Sequence, residues 1–265
     1  MKTKFIMTAI LILFFIGSKA STFSSKEKST FVIVHGAWSK ASDWYNVSAL
    51  LKIKGHNVLT VNLPGHGNDK TPTNSITLQT YVDAVKKIIG TKEEIILVGH
   101  SFGGIVVSLV AEEIPQQIKK LIYIAAYIPK NGESLLSIAQ TDTQSHIGQY
   151  LKINESEGLA EIVKEGVIEV FAADAPKSIG EYIASNIQPE PLAPLVTPVK
   201  LSNSRFGKIK KAAVLTTEDN TISIALQEKM VKEANVENQL FIKSSHTPFI
   251  AHTEELIHFL LQEAK

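Results

Sequence analysis

Ser101 lies between two glycines in the segment Gly99-His100-Ser101-Phe102-Gly103, where an apolar run meets a helical pattern. A serine at such a junction projects its hydroxyl from a tight turn between a strand and a helix. Gly99 and Gly103 have no Cβ atom, so the two backbones can approach closely while the serine adopts a strained conformation. The spacing therefore indicates a nucleophile.

A serine hydroxyl is a weak nucleophile at neutral pH, so it needs a general base and a third group that orients the base. In a parallel sheet such side chains gather at the carboxyl ends of strands. Asp219 follows the apolar run 212–216, and His246 follows the run 239–242. We predict that Ser101, Asp219 and His246 are the catalytic residues, with Glu218 as an alternative acid.

The other acids and histidines are weaker candidates. His100 is expected to point away from the nucleophile and to pack beneath the turn. Asp142, Asp174 and His146 lie in a region that we expect to form a cap, and His252 and His258 lie in the C-terminal helical segment, where surface or packing roles are expected.

Acyl transfer also needs backbone N–H groups that stabilise the developing oxyanion. One usually comes from the residue after the nucleophile and another from an early loop between a strand and a helix. His35-Gly36-Ala37-Trp38 follows the first apolar run. We therefore predict Ala37 and Phe102 as the donors, with Gly36 allowing the backbone to approach the substrate.

Apolar runs rich in β-branched residues alternate with helical patterns, which predicts an α/β fold with a mainly parallel, doubly wound sheet. A chain of 265 residues, 44% of them hydrophobic, is expected to form one domain, here over 30–265. The predicted strands are 30–34, 57–61, 95–98, 120–124, 212–216 and 239–242, and the predicted helices are 44–54, 78–89, 104–113, 223–233 and 254–261.

The alternation lapses between about 129 and 207, a region that contains the proline-rich stretch 189–194. A long insertion after a central strand predicts a cap over the strand ends. We expect this cap to be helical, with amphipathic stretches such as 159–171 and without a strong set of strands.

The first twenty residues resemble a secretory signal peptide, because Lys2 and Lys4 precede the apolar run 5–16 and small residues lead to Ala20. The run is shorter than the ~20 residues that cross a bilayer. We expect cleavage, export to the periplasm or the exterior, a flexible lead-in at 21–29 and no stable membrane insertion. A retained anchor is the alternative.

The charge of the chain does not indicate a nucleic-acid-binding protein. The formal net charge is +1, and the basic residues are scattered along the chain. The chain has no cysteine, which excludes a disulfide framework and a lipid-modified cysteine. A small-molecule ester is the expected partner, and no cofactor or metal is required.

Taken together, the motifs resemble the α/β-hydrolase superfamily over 30–263. The match is greatest to the branch with a small lid, which includes bacterial carboxylesterases, plant methyl-ester esterases and hydroxynitrile lyases. The segments that carry the resemblance are 34–38, 62–67, 99–104 and 125–129, with Thr217-Glu218-Asp219 and Ser245-His246 where that branch keeps its acid and base. The order Ser101, Asp219, His246 is also that of the superfamily.

Two departures narrow the expected activity. Hydroxynitrile lyases of this branch have a lysine after the catalytic histidine and a threonine in the oxyanion loop, where this chain has Thr247 and Gly36. Dehalogenases and epoxide hydrolases of the superfamily have an aspartate in place of Ser101. The resemblance therefore implies a serine hydrolase that cleaves esters of small, fairly apolar substrates. The alternatives are a lactonase, thioesterase or amidase, or a ligand-binding or sensory protein with little turnover.

Overall fold

The computed structural model describes residues 28–265, which form nine strands and eleven α-helices. The strands are β1 Thr30–Val34, β2 Asn57–Val61, β3 Ile95–His100, β4 Ile118–Ile124, β5 Leu151–Asn154, β6 Leu159–Ile162, β7 Glu190–Pro191, β8 Lys210–Thr216 and β9 Asn238–Ile242. The helices are α1 Tyr45–Ile53, α2 Leu78–Ile89, α3 Gly103–Glu113, α4 Leu135–Ala139, α5 Ile147–Tyr150, α6 Lys164–Phe171, α7 Lys177–Asn186, α8 Leu192–Val196, α9 Ile224–Glu233, α10 Pro248–Ala251 and α11 Thr253–Glu263.

Six strands form a central sheet in the order β2-β1-β3-β4-β8-β9. Each neighbouring pair within it is parallel. Outside the cap, every predicted strand and helix is present, with ends that differ by at most two residues. The predicted α/β fold with a parallel, doubly wound sheet is confirmed.

Helices cover both faces of the central sheet, which explains why its strands are continuously apolar. In β1, Val32 and Val34 join the core on the face covered by α2, α3 and α9. Phe31 and Ile33 join the core on the opposite face, against α1 and α11. Alternate residues of a strand point to opposite faces, so both sets are buried.

The chain reverses its direction across the sheet between β1 and β3. β1 leads through α1 to β2 on one side, whereas β3 leads through α3 to β4 on the other. The loops after β1 and β3 therefore diverge and leave a crevice between them. Open α/β sheets bind ligands at such a switch point, and this one brings Gly36–Trp38 close to Ser101.

The region between β4 and β8 contains five helices and a second, antiparallel sheet in the order β5-β6-β7. The prediction of a helical stretch over 159–171 is therefore wrong in its first part, because Leu159–Ile162 is a strand and the helix begins at Lys164. Apolar residues three apart suit a helix, but here they belong to a four-residue strand that pairs with β5 in a hairpin. Gly158, with a φ of +65°, allows the turn.

The proposed signal peptide at 1–20 lies outside the described residues, as does most of the lead-in at 21–29. Ser29 is described; it is buried, and its hydroxyl donates to the Ala264 carbonyl at 3.0 Å. Within residues 28–265, no helix combines the length and the hydropathy needed to cross a bilayer.

Candidate active site

Ser101 occupies the turn between β3 and α3. Its backbone φ is +52°, a left-handed conformation that costs a non-glycine residue about 1–3 kcal/mol. The Ser101 N–H donates to the Ile124 carbonyl at 3.3 Å, and the Ser101 carbonyl accepts from Gly104 and Tyr127 at 3.0 and 3.2 Å. These bonds tie the strained turn to the adjacent strand β4, so the conformation is held by its surroundings.

The two glycines that flank Ser101 are required by close approach, as predicted. A Cβ atom on Gly99 would lie 2.7 Å from the Gly103 carbonyl oxygen, and one on Gly103 would lie 2.6 Å from the Val34 carbonyl oxygen. Both contacts are with backbone atoms, which cannot move aside cheaply. The turn therefore excludes any larger residue at either position.

The structure brings together the predicted acid and base. His246 Nδ1 lies 2.8 Å from Asp219 Oδ2, and both side chains are buried. Asp219 follows β8 and His246 follows β9, so the carboxyl ends of neighbouring parallel strands supply the pair. Since the carboxylate accepts the Nδ1 proton, the lone pair of the neutral imidazole lies on Nε2.

Four further donors hold the Asp219 carboxylate in one orientation. Oδ1 accepts from the N–H groups of Thr221 and Ile222 at 2.7 and 2.9 Å. Oδ2 accepts from the Thr216 hydroxyl at 2.7 Å and from Gln227 Nε2 at 3.3 Å. Sequence reasoning missed Thr216 and Gln227. A signal for Gln227 was available, because it is a polar residue on the buried face of α9.

The alternative acids have other partners. Glu218 is half exposed and lies 3.4 Å from Lys243 Nζ at the surface. Asp142 in the cap accepts from the Ser223 N–H at 2.7 Å. Asp174, also in the cap, accepts from both the backbone N–H and the hydroxyl of Ser245, directly before His246. Among the predicted acids, only Asp219 bonds to His246 in residues 28–265.

His246 Nε2 is buried and has no hydrogen-bond partner within the described residues. The Ser101 hydroxyl is therefore not hydrogen-bonded to it in this state of the protein. Catalytic hydrogen bonds are often long in the absence of substrate and tighten in the complex. His246 thus carries a buried ring nitrogen that has no hydrogen-bond partner among residues 28–265.

His100 packs beneath the turn, as predicted, and has a second contact that the sequence did not reveal. Its Nε2 donates to the His246 carbonyl at 3.0 Å, and the two rings lie 4.8 Å apart between centroids. Burial, together with the neighbouring His246, lowers the pKa of His100 well below its ordinary value. A neutral His100 therefore ties the strand that carries Ser101 to the loop that carries His246.

The two predicted oxyanion donors lie in different loops, Ala37 after β1 and Phe102 directly after Ser101. In the loops and turns of residues 28–265, the N–H groups of Ala37 and Phe102 donate to no backbone carbonyl. Trp38 has a φ of +60°, so the backbone turns sharply after Ala37. Binding of a developing oxyanion requires such backbone N–H groups, and the assignment of Ala37 and Phe102 stays a prediction.

Gly36 also has a packing role that the sequence did not reveal. A Cβ atom there would lie 2.8 Å from the Ser101 Cβ and 2.9 Å from His100 Nδ1. Gly36 therefore lets the oxyanion loop approach the serine turn itself. His35 fixes the start of this loop, because Nδ1 donates to the Gly36 carbonyl and Nε2 accepts from the Leu63 N–H. Burial, with the adjacent His66, lowers the pKa of His35 to about 3, so the ring is neutral.

Two cavities open next to these groups. A cavity of about 400 Å³ is lined by His246 and by aromatic and aliphatic side chains that include Phe171, Ile183 and Phe249. A smaller one of about 50 Å³ is lined by Ser101 and by apolar side chains of the cap. Ala37 and Trp38 line both, so Trp38 stands between the space beside the base and the space beside the serine.

The three other histidines considered as candidates, His146, His252 and His258, lie in surface or packing positions. His146 Nδ1 is 2.9 Å from Glu169 Oε1, and both side chains are partly exposed. His252 Nε2 lies 3.3 Å from Asp174 Oδ2, and His258 bonds to Gln262 on the exposed side of α11. None of the three contacts Ser101, Asp219 or His246 through a hydrogen bond among residues 28–265.

Two relatives and one solved structure place the chain among known proteins. It is 32% identical over 254 residues to "Putative methylesterase 11, chloroplastic" of Arabidopsis thaliana, covering 90% of this chain and 65% of that protein. It is 27% identical over 264 residues to "Salicylic acid-binding protein 2" of Nicotiana tabacum, covering 90% of this chain and 98% of that protein. The crystal structure of polyneuridine aldehyde esterase superposes with a TM-score of 0.81 at 22% identity, covering 90% of this chain and all of the other.

The family model of the alpha/beta hydrolase family matches residues 31–259, which is most of the chain. The matched segment begins in β1 and ends in α11, so it contains all of the central sheet except Thr30, together with the cap and the three predicted catalytic residues. The chain therefore belongs to the alpha/beta hydrolase family.

Proposed function

We propose that this protein is a serine hydrolase that cleaves carboxylic esters of small, fairly apolar molecules. The observation that carries the proposal is the His246 ring, which is bonded to Asp219 through Nδ1 while its buried Nε2 is unpaired within the described residues. Leaving a buried polar atom unpaired costs about 1–3 kcal/mol. A reaction that uses this nitrogen as a base explains that cost. Relatives named as methylesterases also support ester cleavage.

In the proposed reaction, His246 Nε2 takes the Ser101 proton as the serine oxygen attacks the ester carbonyl carbon. The N–H groups of Ala37 and Phe102 bind the resulting oxyanion, and Asp219 stabilises the protonated imidazole. His246 then gives the proton to the departing alcohol, which leaves an acyl group on Ser101. Water attacks this acyl-enzyme with His246 again as the base, releasing the acid and restoring the serine.

The two cavities support an assignment of the two halves of the ester. The leaving alcohol must receive its proton from His246, which lines the larger cavity of about 400 Å³. The acyl group is attached to Ser101, which lines the smaller cavity of about 50 Å³. We therefore assign the alcohol to the larger space and a short acyl chain to the smaller one, with Trp38 between them. Both linings are mainly apolar, which favours apolar substrates.

Labelling and turnover together test the proposed function. Wild-type protein is expected to react with a fluorophosphonate probe and to hydrolyse p-nitrophenyl acetate, and S101A is expected to lose both. S185A is the matched control, because Ser185 is an exposed serine of the cap whose hydroxyl donates to the Glu181 carbonyl within α7. A wild-type protein that is neither labelled nor active would refute the proposal and favour the ligand-binding alternative.

Two ester series test the assignment of the cavities. The first lengthens the acyl chain of p-nitrophenyl esters from acetate to octanoate, and the second enlarges the alcohol of acetate esters from methyl to phenethyl. We expect kcat/KM to fall along the first series and to hold or rise along the second. The opposite pattern would overturn the assignment but would leave ester hydrolysis in place.

We further propose that the chain is exported and that residues 1–20 are removed. The support is the order of basic, apolar and small residues at the N-terminus. N-terminal sequencing of the mature protein from the producing cells tests it. A start at Ser21 is expected, and an intact Met1 in the membrane fraction would refute cleavage.

A further inference from the structure

Glu190 is a buried carboxylate in the shortest strand of the cap, and the catalytic steps above do not use it. Its side chain is completely inaccessible to solvent. In the sequence it stands between Pro189 and Pro191, where nothing indicates a role in chemistry. A charged group buried to this degree is costly unless it is paired and hydrogen-bonded.

Both carboxylate oxygens of Glu190 are bonded to groups of the hydrolase core. Oε2 accepts from the Trp38 backbone N–H at 3.0 Å and from His66 Nε2 at 2.8 Å. Oε1 accepts from the Tyr81 hydroxyl at 2.9 Å. Trp38 is 152 residues away in the chain. The cap therefore reaches directly to the residue that follows the predicted oxyanion donor Ala37.

His66 supplies the charge that makes this burial tolerable. Its Nε2 faces Glu190, and its Nδ1 lies 3.1 Å from the Pro64 carbonyl, so both ring nitrogens meet acceptors. Such a ring carries two protons and a positive charge. Burial opposes this charge, but the Glu190 carboxylate outweighs it and raises the pKa of His66 above its ordinary value. Glu190 and His66 thus form a buried ion pair.

Trp38 is held by the cap at a second point. Its indole Nε1 donates to the Ala160 carbonyl at 2.9 Å, and Ala160 pairs with Glu190 between β6 and β7. The backbone N–H and the side chain of Trp38 are therefore both fixed by the same small sheet. Such a double anchor explains how Trp38 keeps a φ of +60°, which a tryptophan rarely adopts.

We propose that Glu190 is a positioning residue, which holds the Trp38 N–H so that the adjacent Ala37 N–H points at the oxyanion. This inference rests on the proposed ester hydrolysis. The cap then contributes to catalysis as well as covering the site, because its Glu190 carboxylate fixes the position of the loop that carries Ala37 and Trp38. Glu190 touches no substrate, and its effect is expected in kcat rather than in KM.

Two conservative variants separate the effect of the length of the Glu190 side chain from the effect of its charge. E190D keeps the carboxylate but shortens the side chain, so the oxygen retreats from Trp38. E190Q loses the charge but keeps the length, so its amide oxygen can still accept from Trp38 and His66 while its amide nitrogen donates to the Tyr81 hydroxyl oxygen. If the ion pair with His66 mattered only for stability, E190D would be the milder change. If reach to Trp38 matters, E190Q is the milder change.

The experiment measures kcat and KM for p-nitrophenyl acetate and the hydrogen-exchange protection of the loop 36–39, using the full chain. E190D is expected to lose roughly 10- to 100-fold in kcat, since complete removal of an oxyanion donor costs about 10²–10³. Its KM is expected to stay within about threefold, and its loop to exchange faster. E190Q is expected to retain most of kcat and protection. Y81F, which removes the partner of the other oxygen, serves as the stability control.

The outcomes distinguish this inference from the function on which it rests. An E190D variant that matches wild type in kcat overturns the inference, as does E190Q losing more kcat than E190D. A loss of kcat in Y81F as large as that in E190D also overturns it, because the loss would then follow from reduced stability alone. A wild-type protein without esterase activity or probe labelling overturns both the inference and the proposed function. If the wild-type protein is an active esterase but the loop 36–39 of E190D exchanges its amide hydrogens no faster than that of wild type, only the inference is overturned.

Discussion

The exchange of Asp219 for asparagine is expected to remove the base without unfolding the protein. Oδ1 accepts from the backbone N–H groups of Thr221 and Ile222, which can only donate. The new amide oxygen must therefore take the Oδ1 position, and its NH₂ group must take the Oδ2 position, 2.8 Å from His246 Nδ1. An NH₂ group donates to Nδ1 only if that nitrogen carries no proton, so the proton moves to Nε2.

A His246 ring protonated at Nε2 cannot accept the Ser101 proton. The same change of tautomer in a serine protease lowers kcat by about 10⁴, so we expect a loss of roughly 10⁴-fold, or ~5.5 kcal/mol, in D219N. The assay is the initial rate with p-nitrophenyl acetate and the rate of fluorophosphonate labelling. Both rates depend on activation of the serine, so both are expected to fall.

E218Q is the matched control for D219N. It changes the neighbouring carboxylate in the same way, but Glu218 is half exposed and pairs only with Lys243 in the described chain, so activity is expected to stay near that of wild type. Thermal unfolding of both variants verifies that they are folded. A folded D219N that keeps more than about a tenth of the wild-type kcat would contradict the proposed role of Asp219 in holding the His246 tautomer. Equal losses of activity in D219N and E218Q would contradict the assignment of Asp219, rather than Glu218, as the catalytic acid.

Three further predictions follow from particular contacts. G104A would place a Cβ atom 2.2 Å from the Tyr127 carbonyl oxygen, so urea unfolding should show a loss of about 1–3 kcal/mol, whereas G148A, with no atom within 4 Å, should not. Because the pKa of His35 is about 3 in the folded protein and near 6.5 when unfolded, the unfolded state binds more protons between these values. The free energy of unfolding should therefore fall by up to about 1.4 kcal/mol per pH unit as the pH drops through this window, and H35Q should show a smaller slope. W38A should join the two cavities, so the decline of kcat/KM with acyl length should flatten relative to wild type.

The central sheet could be predicted from the sequence because its signal is local. A parallel strand covered on both faces is a continuous apolar run, and each run here is followed by a helix with its own apolar face. Ser101, Asp219 and His246 could be selected for the same reason, since each follows directly on such a run. The cap was harder to predict. Its strands are two to four residues long and depend on pairing with one another, which local patterns do not reveal.

Local sequence patterns sufficed to predict the order of strands and helices, the serine turn with its glycines, and which side chains follow the strand ends. Those features depend on residues that are adjacent in the chain. Two contacts became visible only in the folded chain: Asp219 rather than Glu218 bonds to His246, and Glu190 bonds to Trp38, 152 residues away. These contacts join distant segments, and the fold makes them favourable by excluding water, so that a buried polar group must find its partner inside the protein.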